Sequence, residues 1–276
     1  MILGHQKIFD DLKRLSESGE LSHGYLFHGP QMIGKKTLAT EFARYLEEGK
    51  VGGKAILQDV LVIAPDEKGS IGIDESRRLK NFLWQKPALS SKRTAIIDDA
   101  EFLTAEAQNA LLKITEEPPR SSLLILMTSD PESLAPTLLS RLAKIYFSAP
   151  KKTEVITWLT ENHGLSKKEA EELAERSLGK PGLAVRFGSD KKLQSRFKSA
   201  EALLKSGAGE RRDFIKKILE DESFNIAEFL DTIIILTVTK KDLKKNYEFW
   251  HKLLKLRMDA AYLNLNPRLQ LENLLQ

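Results

Sequence analysis

The stretch YLFHGPQMIGKKTLATEFARYL, residues 25–46, joins a short apolar run to a glycine-bearing loop and then to an amphipathic segment. Tyr25 to Pro30 reads as a buried strand entering the loop. Thr37, Leu38, Ala39, Phe42, Ala43 and Leu46 recur at helical spacing, and Gly49, Gly52 and Gly53 end the segment. A strand, a glycine loop and a helix in that order offer backbone N–H groups and the positive helix end to a phosphate, while a lysine reaches the terminal phosphates. The pattern GxxxxGK[ST] is filled at Gly29, Gly34 and Lys35, but the position that should carry a hydroxyl holds Lys36. An ammonium has no lone pair to give magnesium and sets a positive charge beside a dication. Thr37 comes one residue late, about 100° further round the helix, and is expected to face away from the phosphates. The loop is therefore expected to receive ATP, ADP or another anion through the Gly34 N–H and Lys35, with no cofactor required. Magnesium-dependent hydrolysis should be poor. The plain alternative is a strand-loop-helix turn with a coincidental Gly-Lys pair.

Working outward, DVLVIAP (59–65), TAIIDDA (94–100), SLLILMTSD (122–130) and KIYFSAP (144–150) read as further strands. Helices are expected from Leu12 into the turn before Gly24, from a cap at Asp74 to about Gln85, from Thr104 to Glu116 before Pro118 and Pro119, and over ESLAPTLLSRL. Continuous apolar strands alternating with helices predict a parallel sheet covered on both faces. Residues 1–150 are thus expected to be an α/β nucleotide-binding-type domain. After Pro150 helices dominate, over 152–163, 166–178 and 183–187 and then in longer segments. The β-branched run DTIIILTVT (231–239) could pass for a strand; its helical neighbourhood predicts a buried helix.

Composition narrows the chemistry. The chain has 276 residues, most simply two or three domains. It has no cysteine and only five scattered histidines, so neither disulfides nor a zinc site is expected. The amino terminus carries acids among its bases, unlike a signal peptide, and no apolar run approaches the roughly 20 residues that span a bilayer. A cytoplasmic location is expected. A net charge of +4 suits either nucleic-acid contact or an ordinary solvated surface.

Several segments in order, namely GHQ (4–6), SHGYLFHGP, GKKTLA, LTAEAQNALLKITEEPP (103–119), TSDPESLAPTLLSR (128–141), GKPGLA (179–184) and NPRLQLENLL (266–275), give the chain a clear likeness. It resembles the clamp-loader branch of the AAA+ ATPases, and within it the delta-prime group of bacterial DNA polymerase III. The resemblance covers nearly the whole chain. It implies an AAA+ α/β P-loop (RecA-like) domain over 1–150, an all-α lid over 151–190 and an all-α C-terminal oligomerisation collar over 191–276.

The resemblance also assigns residues. Gly29, Gly34, Lys35, Lys36 and Thr37 fall on the phosphate loop, Asp98 and Asp99 on the acidic strand end, and Thr128 on the region that senses the terminal phosphate. In P-loop ATPases the first acid helps hold magnesium and a following glutamate orients water; Asp99 is a carbon shorter. Arg141, in SRL where the family has SRC, falls on the arginine that reaches a neighbouring subunit's ATP in trans. Gly182 stands where active subunits carry a lid arginine. Lys36, Asp99 and Gly182 all point away from self-hydrolysis, and the cysteine-zinc module of many relatives is replaced by the short GKVGGKAILQD. The implied partners are other clamp-loader subunits, the sliding clamp and primer-template DNA held through its phosphates without sequence preference. Arg77, Arg78 and Lys80 are candidate DNA contacts, with a plain solvated helix face as the alternative. Arg141 could equally be a surface arginine closing a short helix. The competing functional reading is an active AAA+ ATPase subunit of a clamp loader or other DNA-processing assembly.

Overall fold

The structure is a computed structural model and describes residues 2–53, 55–207, 209–221, 224–240, 247–260, 263 and 266–275. The chain forms two compact units, Met1–Glu154 and Val155–Gln276.

The first unit runs α1 (Gln6–Glu17), β1 (Gly24–His28), α2 (Lys35–Glu48), β2 (Val60–Ile63), α3 (Ile73–Leu83), β3 (Arg93–Ile97), α4 (Ala105–Glu116), β4 (Ser122–Thr128), α5 (Pro136–Leu139) and β5 (Ala143–Tyr146). All strands are parallel, in the order β2-β3-β4-β1-β5. Successive residues of a strand point to opposite faces, so each central strand feeds two cores. Leu26, Ile97 and Leu126 pack with Leu79, Leu111 and Leu138 on one face. Phe27, Ile96 and Ile125 pack with Phe9, Leu38 and Phe42 on the other. This two-sided burial is why the strands read as unbroken apolar runs. The residues of β4, the strand between β3 and β1, are all buried.

Two helix starts differ from the sequence expectation. The amino-terminal helix begins at Gln6 and ends at Glu17, so the stretch to Gly24 is connection. Asp74 does not cap α3. The cap position is Gly72, because Ile71 is fixed first: its N–H bonds Phe102 O at 2.8 Å and its carbonyl accepts from Thr104 N–H at 3.1 Å. Asp74 lies in the first turn and bonds Arg77 at 3.1 Å. Thr104 does cap α4, accepting from Ala107 N–H at 3.2 Å.

Polar groups fasten the connections on one side of the sheet. The crossover from α2 to β2 is held by α2 itself: Glu41 accepts from Gly52 N–H at 2.6 Å, Glu47 from Gln58 and Asp59 N–H at 2.8 and 3.0 Å, and Arg44 donates to Ala55 O at 3.1 Å. Asp59 is buried, and its carboxylate accepts the N–H groups of Ala88, Leu89 and Ser90 at 2.8, 2.7 and 2.8 Å, with Arg93 Nε at 3.5 Å. Burial presses its pKa upward, but these hydrogen bonds and Arg93 outweigh it, and the group sits below the ordinary carboxylate range.

The helix α6 (Lys152–His163) leads into the second unit. There follow α7 (Lys167–Arg176), α8 (Pro181–Ser189), α9 (Lys191–Lys205), α10 (Arg211–Leu219), α11 (Ile226–Thr239), α12 (Tyr247–Asp259) and α13 (Pro267–Leu274). The β-branched run at 231–239 is helical, as its surroundings predict. Asn225 caps α11 through Glu228 N–H at 3.1 Å, and Thr232, Thr237 and Thr239 turn their hydroxyls back onto carbonyls four residues earlier. Phe229, Ile233 and Leu236 then share a core with Phe197, Leu204, Leu253 and Leu271. Among the described residues no helix is long and apolar enough to cross a membrane.

Candidate nucleotide-loop site

The parallel sheet places the loop after β1, the acids after β3 and Thr128 at the end of β4 along one carboxyl-terminal edge. His28 is in register with Thr128, and Ile97 with Leu126. This edge is where α/β folds of this kind receive ligands. The sequence candidates Gly29, Gly34, Lys35, Lys36, Thr37, Asp98, Asp99 and Thr128 are therefore brought to one edge.

The loop's shape depends on glycine at two positions. Gly29 has φ +138°, and a Cβ there would lie 2.2 Å from Phe147 O. Gly34 has φ +106° and opens α2. Beneath the loop lies His5, buried, with Nε2 donating to Ile33 O at 2.9 Å and its ring edge-on to Phe147 at 4.7 Å. Burial lowers the His5 pKa, the Ile33 bond and Glu154 oppose this, and Lys35 adds to it; the net direction is down. A neutral ring is what fits between a carbonyl and a phenyl. The GHQ segment carried this residue, yet nothing in its spacing revealed a plug beneath the loop.

The two loop lysines are both engaged. Lys35 is buried and donates to Gly29 O at 2.6 Å and Pro30 O at 2.7 Å, so its ammonium is folded onto the loop's own carbonyls. Lys36 reaches across to Asp98, Nζ to Oδ2 2.9 Å. Magnesium does not fit this arrangement: the first acid is neutralised by an ammonium, and no hydroxyl occupies the Lys36 position. Thr37 is exposed. Asp99 has φ +51°, an uncommon left-handed conformation for a non-glycine residue. Its pKa is raised by burial, then by Asp98 and Glu101, with Lys35 and Lys36 opposing.

Thr128 is buried, and its hydroxyl oxygen accepts from Asp130 N–H at 2.9 Å. Beside it Glu101 accepts from Ser129 Oγ at 2.6 Å and Ser129 N–H at 3.2 Å. Burial pushes the Glu101 carboxyl up, but hydrogen bonds from Ser129 and Thr128 prevail and hold it ionised below its ordinary range. Glu101 escaped the sequence reading because it lies past the strand end, in a short helical turn that only tertiary packing brings to Ser129.

Arg141 stands elsewhere. It precedes β5, whose first residue Ala143 is in register with Tyr25 near the start of β1. It thus lies toward the amino-terminal edge, away from the loop by on the order of 10 Å of strand. Its guanidinium donates to Glu116 Oε1 at 2.8 Å and Thr137 O at 2.6 Å, with Ser140 Oγ at 3.3 Å. Glu116, the end of α4, was not singled out from sequence. Arg77 and Arg78 are exposed on α3 and pair within it, with Asp74 at 3.1 Å and Glu75 at 3.3 Å; Lys80 is half-buried. Gly182 is in the first turn of α8, in the second unit. Among the described residues no group of three or more His, Asp or Glu could hold a metal ion.

The chain resembles proteins of bacterial replication. The delta' subunit of DNA polymerase III from Escherichia coli is 29% identical over 210 residues, which is 71% of this chain and 63% of that protein. The gamma/tau subunit of DNA polymerase III from Mycobacterium tuberculosis is 32% identical over 154 residues, 51% of this chain and 27% of that protein. The chain thus spans between about a quarter and somewhat under two thirds of these relatives' lengths. Among solved structures, a DNA polymerase III gamma subunit-related protein of Thermotoga maritima superposes with a TM-score of 0.63 at 22% identity, covering 96% of this chain and 97% of that one. The Thermotoga maritima RuvB branch-migration motor gives 0.52 at 18%, covering 92% and 76%. The structural likenesses show the fold, a parallel-sheet domain followed by helices. The family described as DNA polymerase III, delta subunit matches residues 4–151, just over half of the chain, and the chain belongs to that family.

Proposed function

We propose that this chain is a clamp-loader subunit of the bacterial replicative DNA polymerase III that does not hydrolyse ATP itself. It acts as a fixed wall of a cytoplasmic hetero-oligomer, presents Arg141 to the ATP of a neighbouring subunit, and helps place the sliding clamp on primer-template DNA. In this reading residues 151–190 form the lid and 191–276 the collar. Arg77 and Arg78, after leaving Asp74 and Glu75, meet DNA phosphates together with Lys80. The observation that carries the proposal is the Lys36–Asp98 ion pair at 2.9 Å, a cation supplied by the protein where a working site needs a metal. The position of Arg141 supports the trans role, since it stands toward the sheet edge away from its own loop.

Reconstitution with motor subunits tests this. Arg141→Ala should leave assembly intact and lower turnover at the abutting site by about 10³ or more, the worth of a trans arginine; unchanged ATPase would remove that assignment. Turnover by the isolated chain that disappears in Lys35→Ala would instead establish the active-ATPase reading.

A further inference from the structure

The second unit contains a groove that the proposed function does not use. It lies between α9, α10 and the start of α11 and encloses about 600 Å³. Its floor is apolar: Phe214 and Ile218 of α10, half-buried, and Phe229 of α11, buried, with Phe224 against Phe229 at 5.5 Å between ring centres. Its rim is basic. Lys191 and Lys198 stand on one stripe of α9, seven residues apart and hence two turns, with Lys192 beside them; Lys217 stands on α10. These four lysines are exposed and make no ion pair among the described residues, whereas the groove's arginine, Arg196, is paired with Glu228.

Two features indicate that the rim awaits an external anion. Lys191 and Lys192 occupy the first turn of α9, which carries no acid of its own, and the N-cap carboxylate before them, Asp190, is already engaged by Leu193 N–H at 3.0 Å and Arg186 at 3.1 Å. The excess positive charge, four lysines against the one lining acid Asp221, also surrounds an apolar floor instead of an open helix face. The surrounding charges elsewhere on α9 follow the opposite habit: Lys205 pairs with Glu201 at 2.9 Å one turn earlier.

We propose that this groove docks an acidic peptide segment of a partner protein, with one apolar side chain on the phenylalanine floor and Asp or Glu residues on either side facing Lys191, Lys192, Lys198 and Lys217. Nucleic acid is disfavoured because stacking needs exposed ring faces, and these rings are packed against one another and into the core. The inference is independent of the role given to Arg141 and Lys36.

The test uses the full chain and fluorescein-labelled short peptides of Asp and Glu carrying a single central Phe, Leu or Trp, read by anisotropy. Binding is expected for at least one of them. Lys217→Glu should weaken it by about tenfold, while Lys216→Glu, an equal charge change on α10 outside the groove, should not. Replacing the probe's apolar residue with Ser should also weaken it about tenfold. Three results would overturn the proposal: no binding by any anchored peptide, equal damage from Lys216→Glu, or an oligothymidine that binds more tightly than the peptides and loses its binding in the groove variant. A dimer abolished by the groove variant would likewise overturn it, by seating a second copy there.

Discussion

The Lys36 ammonium lies 2.9 Å from an Asp98 carboxylate oxygen, so α2 is tied to the end of β3 by charge. Lys36 is more than half exposed, and such a pair contributes only about 0–1 kcal/mol to folding. Lys36→Thr should therefore leave thermal stability nearly unchanged while restoring a hydroxyl and freeing Asp98. In calorimetric titrations, ATP affinity of the native chain should be indifferent to magnesium or chelator. In Lys36→Thr magnesium should raise it by about tenfold, the worth of one charge-assisted contact. A native chain whose affinity collapses on chelation would refute the reading.

Glu116 holds Arg141 in the isolated chain, and under the proposed trans role a neighbour's phosphates would have to draw the guanidinium away. Glu116→Gln should shift the unfolding free energy by less than about 1 kcal/mol, because the pair is part-exposed. Arg141→Lys should fail in the reconstituted ATPase nearly as completely as Arg141→Ala, since an ammonium lacks the planar fork that grips phosphate. A lysine variant retaining most activity would mean that the position supplies charge alone.

Gly29 and Gly34 should differ in tolerance. At Gly29 an added methyl meets Phe147 O at 2.2 Å, a backbone atom that cannot step aside; at Gly34 the nearest neighbour is His5 Cδ2 at 3.7 Å. Gly34→Ala should cost about 1–3 kcal/mol from backbone strain alone. Gly29→Ala should cost more, to the point of poor soluble expression. Urea denaturation of the two variants decides it, and equal midpoints would contradict the loop geometry.

Asp59 sets an acid limit. Its folded pKa lies below the ordinary value, so the folded chain binds this proton less readily than the unfolded chain does. Its contribution is fully present above about pH 4, the ordinary carboxylate value, and is lost as pH falls through the lower folded pKa. Asp59→Ala should destabilise by about 3 kcal/mol at neutral pH, leaving buried N–H groups unpaired. Its stability should then fall less steeply than that of the native chain below pH 4. Parallel acid slopes would assign the acid limit to other carboxylates.

The sheet was legible because both of its faces are buried. Leu26 and Phe27 enter opposite cores, and such strands leave a run of apolar residues that period and turn residues delimit. Helix beginnings were less so: Asp74 has the chemistry of a cap, yet a pairing between Ile71 and Leu103 fixes the chain before it. The wrong letter at Lys36 was visible, but its partner was not, since Asp98 lies more than sixty residues away and joins it only through the order of strands. Glu116 and Arg141 meet for the same reason. His5 sat in plain view and carried no signal, because a lone histidine acquires meaning only from the carbonyl and ring that enclose it.

The crossover from α2 to β2 is clasped by Glu41, Arg44 and Glu47 through backbone groups. A clasp built from carboxylates and a guanidinium contains no thiol to oxidise or reduce. The first unit should accordingly melt at the same temperature in dithiothreitol as in buffer alone, and with or without a strong chelator. The segment's closure answers to acid and salt, and to nothing in the redox chemistry of its surroundings.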